Sequence, residues 1–491
     1  MNENLRPNYG FRSNRIPYEL ERFVRRDTYA LLIKGKAGTG KTTLSLTILK
    51  TLGQASNFFY ISTRISPRQL FTYYPWLEHF VQTLKPQSTG NNEEQVYKMA
   101  MFEDARLDEP ESLFERITNE LMDVKAPIII IDSWDAIASF MDREARLNNE
   151  RVLQTWRERA GAKLIFISED VSYSTLDFLV DGIVELDQSS YDSCRLRQIK
   201  LLKLRGVRIL NQIYSFSLNN SCFTSFETYK PSDYTLHKIA SLQDDLASRK
   251  DLSVKPYSFR GFGRIRTGYP ELDTVIGGGL PRKGLVIFKF DPNIHTTAIT
   301  AFFLRIISNF IKRNNPVLIQ PIKYTNPQIT LAFLRSYLGY SPDNKVFRIL
   351  CSDIKDSEIE QYIDPSQYSL IKNSQSGLIE RNIEMTRNMY PESLMLSIFN
   401  YEQLKGLDEE LQQRQTNILS FLNKKTDLSI LVGMTGESSY PPLESEADMK
   451  FEISLVRGTL FLKPVSPVGP IFALTTHKVN GFPRIRLQVL V

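Results

Sequence analysis

Ala30-Leu31-Leu32-Ile33-Lys34-Gly35-Lys36-Ala37-Gly38-Thr39-Gly40-Lys41-Thr42-Thr43-Leu44 is the stretch whose reading decides the fold of this chain. Its segment Gly35 to Thr42 fits the pattern G-x-x-x-x-G-K-[ST]. The apolar run Tyr29 to Ile33 predicts a buried parallel strand before it, and Thr43 to Lys50, apolar on one face, predicts a helix after it. Glycines at 35, 38 and 40 let backbone N–H groups turn inward, and the helix start adds free amides and the positive dipole end. Phosphate is the natural guest of such a loop. Gly35, Lys36, Ala37, Gly38, Thr39, Gly40, Lys41, Thr42 and Thr43 are therefore the expected nucleotide-binding residues, with Lys41 on the outer phosphates and Thr42 on the Mg²⁺ that ATP carries.

Working outward, Ile128-Ile129-Ile130-Ile131-Asp132 predicts a second buried parallel strand, ending on a carboxylate that holds the same Mg²⁺. Strand patterns at Asn57–Ser62 and Lys163–Glu169 alternate with helical ones, a helix Asn148–Ala160 among them, which predicts a parallel sheet of five or more strands. Residues 85–115 read as an exposed excursion, and Asp181-Gly182 as the start of a short strand. Two strand-like runs around Lys203-Leu204-Arg205-Gly206 predict an antiparallel extension at the sheet edge.

The chain has 491 residues, 42% of them hydrophobic, enough for two or three domains. Sixty-one basic against 55 acidic residues, a net +6, is a mild excess that argues against a dedicated nucleic-acid binder. Three cysteines and four isolated histidines predict neither a disulfide framework nor a structural zinc, and fit a reducing cytoplasm. No apolar run approaches the ~20 residues of a membrane span, so no membrane segment and no export are expected.

Residues 231–260 read as a polar linker between an ATP-binding domain, 1–230, and a second domain, 261–491. The second begins with Thr267-Gly268-Tyr269-Pro270-Glu271-Leu272-Asp273 and Gly277-Gly278-Gly279-Leu280-Pro281, which resemble the lead-in of KaiC-type RecA-fold ATPases. The strand Leu285–Phe288 follows, but the loop position reads Phe290-Asp291-Pro292-Asn293-Ile294-His295-Thr296-Thr297. Its glycines are gone, and Thr296 stands where the lysine belongs. Leu394 to Phe399 occupies the metal-strand position and ends in Asn400. The expected fold class is thus α/β, two tandem RecA/KaiC-like P-loop domains with parallel sheets flanked by helices, the second with a degenerate nucleotide site.

In the first half, Gly35 to Thr42, Asp132-Ser133, Asp181-Gly182 and Lys203-Leu204-Arg205-Gly206 match the KaiC-like pattern in order. That family usually places two glutamates after the second strand to activate water, where this chain has Arg64-Ile65. Asp135 and Glu169 are the substitute bases, and hydrolysis is expected to be slow. The intact first half, the degenerate second half and Ser62-Thr63-Arg64-Ile65-Ser66 are similar to the archaeal gas-vesicle regulator GvpD branch. That resemblance implies a repressor of gas-vesicle gene expression acting through a transcriptional activator partner. The KaiC-like resemblance of the Lys203-Leu204-Arg205-Gly206 segment implies that Lys203 and Arg205 contact the triphosphate of an adjacent subunit in a homo-oligomer. The alternative is a RecA-like DNA-dependent ATPase or recombination accessory protein, suggested by Arg195, Arg197, Lys200 and Lys203 on one strand. Alternation places Arg195, Arg197 and Ile199 on one face, so the basic residues form no continuous stripe.

Overall fold

A computed structural model describes residues 16–53, 57–82, 100–105, 110–121, 124–192, 194–231, 263–320, 327–339, 346–352, 368–371, 378–400, 420–436, 444–479 and 481–490. Residues 1–15 and linker residues 232–260 lie outside the described residues. Contacts divide the chain into two compact units, one spanning Met1–Thr228 with Leu490–Val491 and the other Tyr229–Val489.

The first unit holds a sheet of nine strands: β1 (Tyr29–Gly35), β2 (Phe58–Ser62), β3 (Ala100–Asp104), β4 (Ile128–Asp132), β5 (Lys163–Ser168), β6 (Gly182–Tyr191), β7 (Cys194–Leu204), β8 (Ile213–Ser217) and β9 (Thr224–Ser225). Their order is β3-β2-β4-β5-β1-β6-β7-β8-β9. The first six in that order run parallel and the rest antiparallel. All residues of β1 and β4 are buried, as strands covered by helices on both faces must be. Helix Tyr18–Val24 packs Leu20, Phe23 and Val24 into the core with β1.

Three sequence expectations are corrected here. The excursion at 85–115 contains β3, which pairs with β2, and the start of helix Pro110–Leu121; its residues 85–99 and 106–109 lie outside the described residues. The strand after Asp181 is ten residues long rather than short, because it continues past the sheet core to pair with β7 as a hairpin through Tyr191 and Cys194. Helix Arg143–Ala160 begins ahead of the expected Asn148, where Asp142 caps it by accepting Ala145 N–H.

The second unit repeats the plan with β12 (Gly284–Phe290), β13 (Val317–Ile319), β14 (Phe347–Ser352), β15 (Tyr368–Ile371), β16 (Leu396–Asn400), β17 (Leu428–Met434), β18 (Met449–Val456), β19 (Thr459–Ser466), β20 (Phe472–Val479) and β21 (Phe482–Val489). Their order is β15-β14-β13-β16-β17-β12-β18-β19-β20-β21, parallel through β18 and antiparallel after it. The short pair β10 (Arg264–Ile265) and β11 (Leu280–Pro281) brackets helix Pro270–Val275.

Both units are therefore parallel-dominated α/β sheets flanked by helices, and the repeat extends to single bonds. Ala30 N–H donates to Asp181 Oδ2 at 3.1 Å, as Leu285 N–H does to Asp448 Oδ2 at 2.8 Å. Lys34 pairs with Asp177 at 2.7 Å, as Lys289 does with Glu444 at 2.5 Å.

Candidate functional site

In a parallel sheet, ligands gather where strands end and helices begin. β1 ends at Gly35, and helix Lys41–Leu52 opens after Gly40, whose φ of 102° suits glycine. A Cβ at Gly40 would lie 2.8 Å from Leu218 Cδ1, and one at Gly35 would lie 2.5 Å from Leu186 O. Only glycine fits either position. The first i→i−4 bond of the helix runs from Leu44 N–H to Gly40 O at 2.9 Å, so the Lys41, Thr42 and Thr43 amides precede the helical ladder, at the helix end that suits an anion. The Thr43 hydroxyl is held 2.9 Å from that of Tyr74, leaving its amide as its share of the cradle.

Lys41 is buried, and Nζ donates to Gly35 O at 2.6 Å and Lys36 O at 3.0 Å. Burial pushes its pKa down, while Glu169 and Asp132 pull it up. Asp132 ends β4, one strand away from β1: Ile167 of the intervening β5 pairs with both Ile33 and Asp132. Across that strand Thr42 Oγ1 donates to Asp132 Oδ2 at 2.6 Å. A hydroxyl and a carboxylate are hard oxygen donors of the kind Mg²⁺ takes, so these two residues fit that ion.

Glu169 follows β5, with Oε1 3.8 Å from Lys41 Nζ and 2.5 Å from Arg64 Nη1. Arg64 thus fastens a carboxylate. Asp135, the other candidate base, accepts Ser168 Oγ at 2.9 Å and the Glu169 N–H, so both of its oxygens are engaged.

Lys203 and Arg205 are not brought to this loop. Gly182 pairs with Leu31 and Leu204, whereas Leu186 pairs with Gly35, so antiparallel β7 carries both cations to the opposite end of the sheet. There Lys203 Nζ donates to Asp177 O at 3.0 Å and Arg205 Nη1 to Asp181 Oδ1 at 3.2 Å. Arg197 on the same strand is buried.

Sequence reasoning missed Tyr60. This buried residue of β2 donates its hydroxyl to Asp132 Oδ2 at 2.6 Å. The signal was period two: Tyr60 shares a face with Ser62, which pairs with Asp132.

The loop after β12 uses its amides differently. Asn293 N–H donates to Asp291 Oδ1 at 2.9 Å and Ile294 N–H to Asp291 O at 3.0 Å. His295 N–H donates to the Tyr229 hydroxyl at 3.0 Å and Thr297 N–H to His295 Nδ1 at 3.3 Å. Asn400, at the end of β16, gives its N–H to Gln320 Oε1 at 3.2 Å. Among the described residues no group of three or more His, Cys, Asp or Glu is placed to hold a metal, and no helix is long and apolar enough to cross a membrane.

A family model for the P-loop domain of the GvpD gas vesicle protein matches residues 20–204. Protein GvpD2 of Halobacterium salinarum is similar to this chain at 23% identity over 502 aligned positions, covering 97% of this chain and 96% of that protein. Protein GvpD1 of the same organism is similar at 27% identity over 369 positions, covering 72% of this chain and 63% of that protein.

Proposed function

We propose that this chain, which belongs to the GvpD-like P-loop family, is a regulatory ATP-binding protein whose nucleotide state sets its affinity for a protein partner. One observation carries the reading. Lys41, Thr42, Asp132 and Glu169 converge at the first loop, while the corresponding loop of the second unit spends its amides on its own side chains. Lys41 takes the outer phosphates, the loop amides from Gly35 to Thr43 cradle the chain of phosphates, and Thr42 with Asp132 holds Mg²⁺. The ion, when bound, neutralises charge on the phosphates. Glu169 is the group left to orient or deprotonate water, and Arg64 and Ile65, which cannot take a proton from it, support slow turnover.

The second half then has an interaction role, and the partner is the transcriptional activator of gas-vesicle genes, whose activity the ATP-bound protein represses. Lys203 and Arg205, remote from their own loop, serve the site of a neighbouring copy in an ATP-promoted homo-oligomer. Burial of Arg197 counts against the alternative of a DNA-dependent ATPase, which needs a continuous basic stripe. The test is binding of purified activator to the full chain with and without ATP and Mg²⁺. Nucleotide-dependent affinity that disappears in Lys41→Ala supports the reading, and affinity indifferent to nucleotide refutes it. Mixing Lys41→Ala with Arg205→Ala protein tests the shared site, since only sharing between copies restores turnover.

A further inference from the structure

Asp132 Oδ2 accepts two hydroxyls, Thr42 Oγ1 and Tyr60 Oη, each at 2.6 Å. The two donors differ in what they are attached to. Thr42 belongs to the nucleotide loop, and its oxygen is the one that a cation recruits. Tyr60 belongs to β2, between β3 and β4, with its ring in the core beside Phe102 at 5.8 Å. The main chain of Asp132 is tied down separately, its carbonyl accepting Thr63 N–H at 2.8 Å. Once Thr42 turns to a cation, Tyr60 is the anchor that keeps the carboxylate aimed.

We propose that Tyr60 is a positioning residue of the metal site, fixing Asp132 so that the chain's affinity for Mg²⁺, rather than for the nucleotide itself, depends on the phenol. This rests on the Mg²⁺–nucleotide reading above. A phenol suits the task better than a lysine or arginine, because it orients the carboxylate without cancelling the negative charge that attracts the cation. Tyr74 is the built-in control: it is a nearby tyrosine whose hydroxyl contacts Thr43 rather than Asp132.

The experiment titrates Mg²⁺ into the full chain with a fluorescent ATP analogue. Loss of a hydrogen bond to a charged group predicts that Tyr60→Phe raises the half-saturating Mg²⁺ concentration about tenfold while changing affinity in chelator by about twofold or less. Tyr74→Phe leaves the Mg²⁺ midpoint where it is in the unaltered protein. Asp132→Ala raises the midpoint as well, and adding Tyr60→Phe to it changes nothing further, because the phenol acts only through the carboxylate. An unchanged midpoint in Tyr60→Phe, or full additivity with Asp132→Ala, overturns the proposal. An unaltered protein whose nucleotide binding ignores Mg²⁺ refutes the preceding reading instead. Should Tyr60→Phe fail to fold, a ring-fluorinated tyrosine at position 60 decides. Its fluorine resonance moves when Mg²⁺ joins the ATP-loaded protein, and a resonance blind to Mg²⁺ overturns the proposal.

Discussion

The loops after β1 and β12 hold the same place in two sheets of matching order, the second with β15 added at its edge, yet they treat their backbone amides in opposite ways. At the first, glycines keep side chains out, and the amides of Lys41, Thr42 and Thr43 stand ahead of the helical ladder. At the second, Asp291, His295 and Tyr229 supply acceptors to the amides of Asn293, Ile294, His295 and Thr297. An anion arriving there must displace an internal acceptor and face the Asp291 carboxylate, with Thr296 in place of a lysine. The fold position alone therefore does not make a phosphate site; the availability of donors does.

The comparison breaks most visibly if the second loop binds nucleotide. Calorimetry of the full chain should give one ATP per chain, and Lys41→Ala should weaken binding by about 100-fold through lost charge-assisted bonds to phosphate. A second ATP of comparable affinity, surviving in Lys41→Ala, would falsify the contrast between the loops.

Hydrolysis sharpens it next. Glu169→Gln should lower turnover by about 10², the lower end of general-base assistance, whereas Arg64→Ala, which releases Glu169 without removing it, should change the rate by about threefold or less. Steady-state phosphate release measures both. A collapse in Arg64→Ala with no effect of Glu169→Gln would assign the water-activating role elsewhere.

The first loop was legible because its pattern is local: spacing, strand and helix all lie within the stretch from Tyr29 to Lys50. Asp132 was legible as the end of a β-branched run. Its route to the loop was not, because β5 intervenes, and nothing in sequence tells which strand is inserted between β1 and β4. The edge strand β3 escaped because Ala100-Met101-Phe102-Glu103-Asp104 is short and ends in acids, as edge strands do to discourage pairing with other chains. Loss of the glycines and lysine at Phe290 to Thr297 could be read, but the acceptors that occupy the amides could not, since Tyr229 is far from His295 in sequence.

The repeated ion pair offers a gentler comparison. Lys34 and Asp177 have side chains only 5% and 4% exposed, whereas Lys289 and Glu444 are 27% and 22% exposed. Lys34→Ala leaves a buried carboxylate without its cation and should cost about 3–5 kcal/mol in denaturant unfolding. Lys289→Ala leaves Glu444 in reach of water and should cost about 1 kcal/mol or less. Equal losses would show that the difference in exposure does not set what each pair contributes.

The smallest expected effect separates the units by pH. His477 of β20 faces Arg484 across the strand pair, and burial first, then Arg305, Arg484 and Arg486, hold its pKa down at about 4 against an ordinary 6.5. A folded imidazole that resists protonation binds fewer protons than the unfolded one throughout that window. Its contribution to stability is therefore fully present above about pH 6.5 and is lost as pH falls toward about 4. The effect is modest because His477 keeps contact with solvent, and its window lies above most ordinary carboxylates. The three tryptophans, Trp76, Trp134 and Trp156, all belong to the first unit, so their fluorescence follows that unit alone. Hydrogen exchange across β20 and β21 follows the second. Between neutral and mildly acidic pH, protection factors there, taken against the intrinsic exchange rate at each pH, should fall while the tryptophan transition holds, and His477→Gln should remove the difference. A fall in protection that persists in His477→Gln assigns the pH response to another group.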